Sequence, residues 1–421
     1  MELMDMAGLR FVMITTFYPP YHFGGDANYV QQLCRTLVEL GHDVDVIHDV
    51  DAYKILSNGA DPEPIKEPKG LTVHGLQSKY PGLSCFLTQQ TGFPIVHGRK
   101  IRRILSNGDF DVIHYHNISL VGGPGILAYG HAIKVYTAHE HWLVCPNHVL
   151  WRHNKEVCDG RECLRCSMHF KRPPQLWRKL GLLERKMKHV DALCSPSDFS
   201  AKKHKEFGLF REMEVLPSYI PDNLVGKKSD TVIEQKPYFL FVGRLEIIKG
   251  LQDIIPLFNN ESAPADLLIV GSGVYEKELK KLAEGYNHVH FLGWLAPIDI
   301  IPLYAMAIAA IMPSICYEVF PLVVLEAFRT KTPIIARELG PFPEIIAYSG
   351  AGFIFNNEAQ LSEAMTKLAS DKILRDGMGV AGRKAYDDRW SQEASMQAYF
   401  AIIKRIAIKN KNKSILKRLE P

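Results

Sequence analysis

Five short apolar segments separated by helical segments occupy the first half of the chain, and the second half repeats the plan. The first set is residues 11–17, 44–50, 111–116, 133–139 and 192–197. The second is 238–243, 267–271, 289–293, 308–314 and 332–337. A strand that is apolar along its length has no solvent face. Such strands, alternating with helices, specify a parallel sheet covered on both sides. After the first strand, Val30, Leu33, Leu37 and Val38 fall at helical spacing and Gly41 closes the helix. We therefore expect an α/β fold of two doubly wound parallel-sheet, Rossmann-like domains facing a cleft. Residues 1–217 form the first domain and 218–388 the second. Residues 389–421 supply C-terminal helices and a basic tail. Residues 217–230, with Pro217 and Pro221, read as the linker.

The length of 421 residues suits two or three domains at about 150 residues each. A hydrophobic content of 47% and a charged content of 23% are those of a globular protein. The net charge of +4 does not argue for nucleic acid, and we expect no such partner. The N-terminus has no long apolar run, so no secretory signal is expected. No stretch reaches the ~20 apolar residues of a membrane span. Eight cysteines without a signal fit a reducing, cytoplasmic setting.

In open parallel sheets, ligands bind beyond the carboxyl ends of the strands. The candidate residues fall there. Gly24 and Gly25 stand between the first strand and the first helix, where backbone can approach a phosphate. His139 ends a strand and can hydrogen-bond a hydroxyl or polarise a reacting group. Arg244 and Lys249 follow another strand, and one loop can aim both cations at one diphosphate. Gly271 and Gly273 form a second glycine turn. Glu318 lies on a strand-to-helix loop, and Glu326 lies eight residues on, inside a helix whose first turn suits Pro321. Two carboxylates beside an anion-attracting helix end fit a ligand bearing hydroxyls and phosphates.

The ordered set F-Y-P-P…G-G, T-A-H-E, F-V-G-R-L…K-G, V-G-S-G and P-S…E-x7-E resembles the retaining glycosyltransferases of family 4, over roughly residues 10 to 400. The resemblance implies the GT-B fold, a nucleotide-diphosphate-sugar donor on the second domain, and catalysis without a required cofactor. It implies that His139 and Glu318 are catalytic. Gly25, Arg244, Lys249, Gly271, Glu318, Leu322 and Glu326 would bind the donor, Glu326 through the ribose. The acceptor would be a glycan, lipid-linked or other hydroxyl in surface polysaccharide or glycoconjugate synthesis. Residues 389–406 resemble the family's last helices, which cross back to the first domain. Val319 stands where many members have a small residue.

Cys145, Cys158, Cys163 and Cys166 follow C-x12-C-x4-C-x2-C. Four thiolates suit a structural zinc, and the intervening 147–157 segment suits a hairpin that returns the chain. The other reading is four reduced thiols, or disulfides if this loop meets oxidant. Residues 171–188 hold seven Lys or Arg and one Glu, with Trp177, Leu180, Leu183 and Met187 at helical spacing. We expect one helix docking this stripe on the core. The alternative is a basic amphipathic helix resting on an anionic membrane, which would place the protein peripherally at the inner face of the cell membrane. Two other functions compete with glycosyl transfer. One is a nucleotide-sugar epimerase on the same plan, which would need further acid/base carboxylates. The other is a zinc-stabilised binding protein with an idle cleft.

Overall fold

The computed structural model of the protein describes residues 8–57, 61–221, 236–259 and 263–419. The expected linker lies outside the described residues from 222 to 230. The chain divides into two compact units. The first comprises residues up to 154, 159–217 and 396–421, and the second comprises 155–158 and 218–395.

The first unit carries strands β1 (Arg10–Ile14), β2 (Asp43–Asp49), β3 (Leu71–Leu76), β4 (Val112–Tyr115) and β5 (Ile133–Thr137). The pair β6 (Trp151–Arg152) and β7 (Glu156–Val157) follows, then β8 (Ala192–Ser195) and β9 (Glu214–Val215). Seven of these make one parallel sheet in the order β3-β2-β1-β4-β5-β8-β9. The second unit carries β10 (Tyr238–Val242), β11 (Asp266–Val270), β12 (Val289–Gly293), β13 (Ala310–Met312), β14 (Ile334–Arg337) and β15 (Gly352–Phe355). They form a second parallel sheet in the order β12-β11-β10-β13-β14-β15. Every strand expected from an apolar run is present. The sequence reading omitted β3, β9 and β15. Each is the outer strand of its sheet. Edge strands bury less of their length, so their apolar pattern is weaker. β3 alone leaves Thr72 and Val73 exposed.

The pleat sends alternate side chains to opposite faces. Along β10, Tyr238 and Leu240 join one core with Val324, Leu325 and Phe328, while Phe239 and Phe241 join another with Leu251, Ile254 and Phe258. Both faces are therefore dry, and polar residues are displaced to the strand ends.

The C-terminal helix Gln392–Lys409 buries Tyr399, Ile403 and Ile406. Tyr399 packs its ring 6.2 Å from that of Phe11 on β1. A last helix, Lys413–Arg418, brings Arg418 onto Asp111 just before β4. Arg418 Nη1 donates to Asp111 Oδ2 at 2.8 Å, Nη2 contacts Oδ1, and Arg10 N donates to Oδ2 at 2.8 Å. Asp111 thus ties the chain's end to the start of β1 and β4. Asp111→Ala removes a bidentate ion pair and an acceptor of a main-chain N–H together. It should cost about 1–3 kcal/mol in denaturant unfolding without altering the second unit.

Candidate functional site

Three loops at the carboxyl ends of β10, β11 and β13 are joined main chain to main chain. Gly243 N donates to Val270 O and Leu245 N to Ser272 O, both at 3.0 Å. Ile315 N donates to Ile248 O at 2.9 Å. Gly271 has φ +132°, and a Cβ there would fall 1.9 Å from Gly243 O. A Cβ on Gly273 would fall 2.2 Å from Leu245 O. The glycine turn expected from the sequence is required by one loop packing on another.

The loops hold the charged residues. Lys249 closes a 3₁₀ turn, Ile247–Lys249, and its Nζ lies 2.6 Å from Glu318 Oε1. Ser314 Oγ donates to the same oxygen at 2.8 Å. Burial pushes the Glu318 carboxyl up. The Lys249 charge and the hydrogen bonds from Lys249 and Ser314 outweigh it, leaving the carboxyl below its ordinary range. Arg244 is more open, with a side chain 58% exposed and Nη1 2.8 Å from Glu246 Oε1. Lys249 is therefore half of a part-buried pair with Glu318, and Arg244 is the more exposed cation.

The helix Leu322–Arg329 begins one residue after Pro321, which occupies the position before the first turn. Leu322 packs at the edge of the core. Glu326 sits in the second turn, where Tyr304 Oη donates to its Oε2 at 2.9 Å. Burial raises this carboxyl, and Tyr304 and Arg329 offset part of the rise. Ser314 and Tyr304 escaped the sequence reading. Ser314 precedes Glu318 by four residues and could have been found in the P-S pair. Tyr304 comes from another helix, Pro297–Met306, with no local signal.

In the first unit, Gly24 has φ +86° and the helix Gly25–Glu39 starts at Gly25. His139 follows β5, and its Nε2 lies 2.9 Å from His116 Nδ1, with the rings stacked 5.2 Å apart. The Tyr29 ring is 5.3 Å from His139. His114, two residues before His116, has its ring 4.0 Å away. It bonds Tyr399 Oη at 2.9 Å and Thr137 Oγ1 at 2.8 Å. Burial lowers all three histidines, His139 to about 4, so they are neutral at neutral pH. The H-x-H spacing of His114 and His116 puts both on one strand face and was a signal the sequence reading passed over. Glu140, next to His139, turns instead to His148, 2.7 Å away.

The cysteine expectation needs correction. The hairpin forms, with β6 and β7 flanking a turn in which His153 and Asn154 have positive φ. Cys145, Cys158, Cys163 and Cys166 form no disulfide among the described residues. Among the described residues, no three of these sulfurs gather within 4.8 Å, so they do not make a zinc site. Cys163 stands exposed at the start of the helix Cys163–His169, whereas Cys166, one turn on, is buried. The Cys166 sulfur accepts from His153 N at 3.3 Å and Asn147 Nδ2 at 3.4 Å, so it supports the hairpin turn directly. The one such group among the described residues is Asp49, Asp51 and His97. Its members already have partners. Asp49 Oδ1 accepts from Ala52 N at 3.1 Å as a helix cap, and Asp51 bonds Ser78 N and His97 Nε2, both at 2.9 Å.

Residues 23–223 match the family model described as Glycosyltransferase Family 4, and residues 227–385 match that of Glycosyl transferases group 1. A GDP-mannose-dependent monoacylated alpha-(1-6)-phosphatidylinositol monomannoside mannosyltransferase of Corynebacterium glutamicum is 31% identical over 241 residues. That match covers 52% of this chain and 62% of the relative. An uncharacterized glycosyltransferase of Methanocaldococcus jannaschii is 26% identical over 418 residues, 91% of this chain and 95% of that one. Sucrose-phosphate synthase from Thermosynechococcus elongatus shares the fold at a TM-score of 0.72 and 18% identity, over 95% of this chain and 100% of that chain. The two family models together take in the second sheet and every strand of the first except β1, and the chain belongs to the family 4, group 1 glycosyltransferases of GT-B fold.

Proposed function

We propose that the protein transfers a sugar, with retention of anomeric configuration, from a nucleotide-diphosphate sugar to a hydroxyl of a glycan or lipid-linked acceptor. The observation that carries this reading is the Lys249–Glu318 pair, fixed by Ser314 beside the open Arg244 on loops locked to one another. Arg244 and Lys249 meet the diphosphate. Glu318 keeps Lys249 charged and in place, and its carboxylate faces the donor sugar. Glu326, held through one oxygen by Tyr304, accepts from the ribose hydroxyls. The helix that starts at Leu322 presents main-chain N–H groups to the phosphates.

As the bond from the anomeric carbon to the diphosphate oxygen breaks, the two cations stabilise the charge that develops on the leaving group. The acceptor oxygen bonds to the anomeric carbon on the face just vacated, and its proton passes to the departing diphosphate. GDP-mannose, named for the Corynebacterium relative, heads the donors to try. A panel of nucleotide sugars, read by donor hydrolysis and thermal stabilisation, tests the reading. No response to any member would end it.

His139 enters as a neutral hydrogen-bond donor to the sugar. Only one proton can lie between His116 Nδ1 and His139 Nε2. His116 Nε2 is buried without a partner. An orphaned N–H is rarer in proteins than an orphaned lone pair, which favours the proton on His116 Nδ1. The His139 proton then sits on Nδ1.

Arg244→Ala should weaken binding of the free diphosphate nucleotide by about 1–2 kcal/mol in calorimetry, an allowance for its exposure. Glu326→Ala should weaken it even with no sugar attached. Unchanged affinity in both would remove the donor assignment. Lys249→Ala is the less clean test, because it also leaves Glu318 without its cation.

His139→Ala should lower kcat steeply and leave nucleotide affinity intact. Because its folded pKa is depressed to about 4, His139 stays neutral from pH 5.5 to 8, and turnover should show no step belonging to it in that window. Neutrality stabilises the fold above the ordinary histidine range, and that stability is lost as pH falls from about 6.5 toward 4. A kcat step near the ordinary histidine pKa that vanishes in His139→Ala would contradict the neutral-donor role.

A further inference from the structure

The sequence reading took residues 171–188 as one helix. The structure breaks the segment at Gly181, which has φ +64°. Before the break, a single 3₁₀ turn (Leu176–Arg178) buries Trp177. After it, the helix Leu182–Met187 buries Leu182, Leu183 and Met187. Three of the four residues of the apolar stripe, Trp177, Leu183 and Met187, are thus satisfied by the core. Leu176 and Leu180 point out instead, 62% and 70% exposed.

They are not isolated. Residues 173–177 are pinned along the helix Pro81–Thr91: Trp177 Nε1 donates to Gln89 O at 2.9 Å, and Gln89 Nε2 donates to Pro173 O at 2.8 Å. That helix turns Ser84, Cys85 and Thr88 inward and leaves Leu83 and Phe86, one turn apart, 53% and 52% exposed. Tyr80 before it and Ile95 after it are also exposed.

The surrounding charge has one sign. Residues 77–107 contain five Lys or Arg and no Asp or Glu, and residues 171–190 contain seven against one Glu, in a chain whose net charge is +4. Lys79, Arg99, Lys100, Lys171, Arg172 and Lys179 are exposed, and none forms an ion pair with a carboxylate among the described residues. Exposed large apolar side chains inside an unpaired cationic rim are costly in water. They are complementary to a surface with acyl chains below and negative headgroups above.

We infer that the face formed by the helix Pro81–Thr91 and residues 171–180 rests on the surface of a bilayer containing anionic lipid. Leu83, Phe86, Leu176 and Leu180 enter the headgroup boundary, and the cations stay in the headgroup layer. The mode is surface contact. Among the described residues no helix is long and apolar enough to cross a membrane. The inference stands independently of the transfer reaction.

The test is flotation of the full chain with vesicles of phosphatidylcholine alone and of phosphatidylcholine with a minor fraction of phosphatidylglycerol. We expect binding at least about tenfold stronger to the second, weakened by salt. The double variant Phe86→Ser/Leu180→Ser, both positions exposed, should lose that binding while keeping the native melting temperature and donor hydrolysis. So should Lys171→Glu/Arg172→Glu. The emission of Phe86→Trp should shift to the blue on phosphatidylglycerol vesicles and not on phosphatidylcholine alone. Equal binding to both vesicles, native binding by both double variants, or an unshifted tryptophan would overturn the proposal. A changed self-association in Phe86→Ser/Leu180→Ser with vesicle binding intact would assign the face to a second copy and overturn it equally.

Discussion

A parallel sheet covered on both faces leaves its strands nowhere to place polar groups except at their ends. Most of what is distinctive here follows from that constraint. β10 divides its side chains between two dry cores, so the chain's first opportunity for chemistry comes at Gly243 and Arg244. β13 does the same, and its first polar residue beyond Pro313 is Ser314. The loops after β10, β11 and β13 are then fastened together by their own amides and carbonyls, which makes a stiff platform from segments with no regular structure.

Electrostatics on that platform is settled by competition. Burial alone would raise the Glu318 carboxyl, and it is the nearness of Lys249, with Ser314 behind it, that reverses the sign. Glu326 lacks such a cation at hydrogen-bonding distance, and there burial prevails. Two carboxylates eight residues apart thus differ in proton affinity because of their neighbours. His114, His116 and His139 follow the same rule without a counter-charge: burial prevails, and all three are neutral.

The two revisions have related causes. The 145–166 segment does return on itself, but its four cysteines have different surroundings, one exposed, one half-buried and two buried, and spacing along a chain does not set direction in space. The 171–188 stripe has helical periodicity, but Gly181 takes a left-handed conformation that rotates the second half relative to the first. Trp177, Leu183 and Met187 of the stripe are core, and Leu180 is surface.

The sequence by itself determined the two doubly wound sheets, because unbroken apolar runs have only one way to be buried when helices alternate with them. It also determined which residues stand at the strand ends, Gly25, His139, Arg244, Lys249, Gly271 and Glu318, since strand length alone places them. It did not determine partners. Lys249 meets Glu318 across 69 residues, Tyr304 meets Glu326 across 22, and His114 meets Tyr399 across 285. These contacts join elements whose own patterns are complete without them, so no local signal announces them. They exist because the folded core brings those strand and helix ends within hydrogen-bonding distance, and only the tertiary structure could decide that.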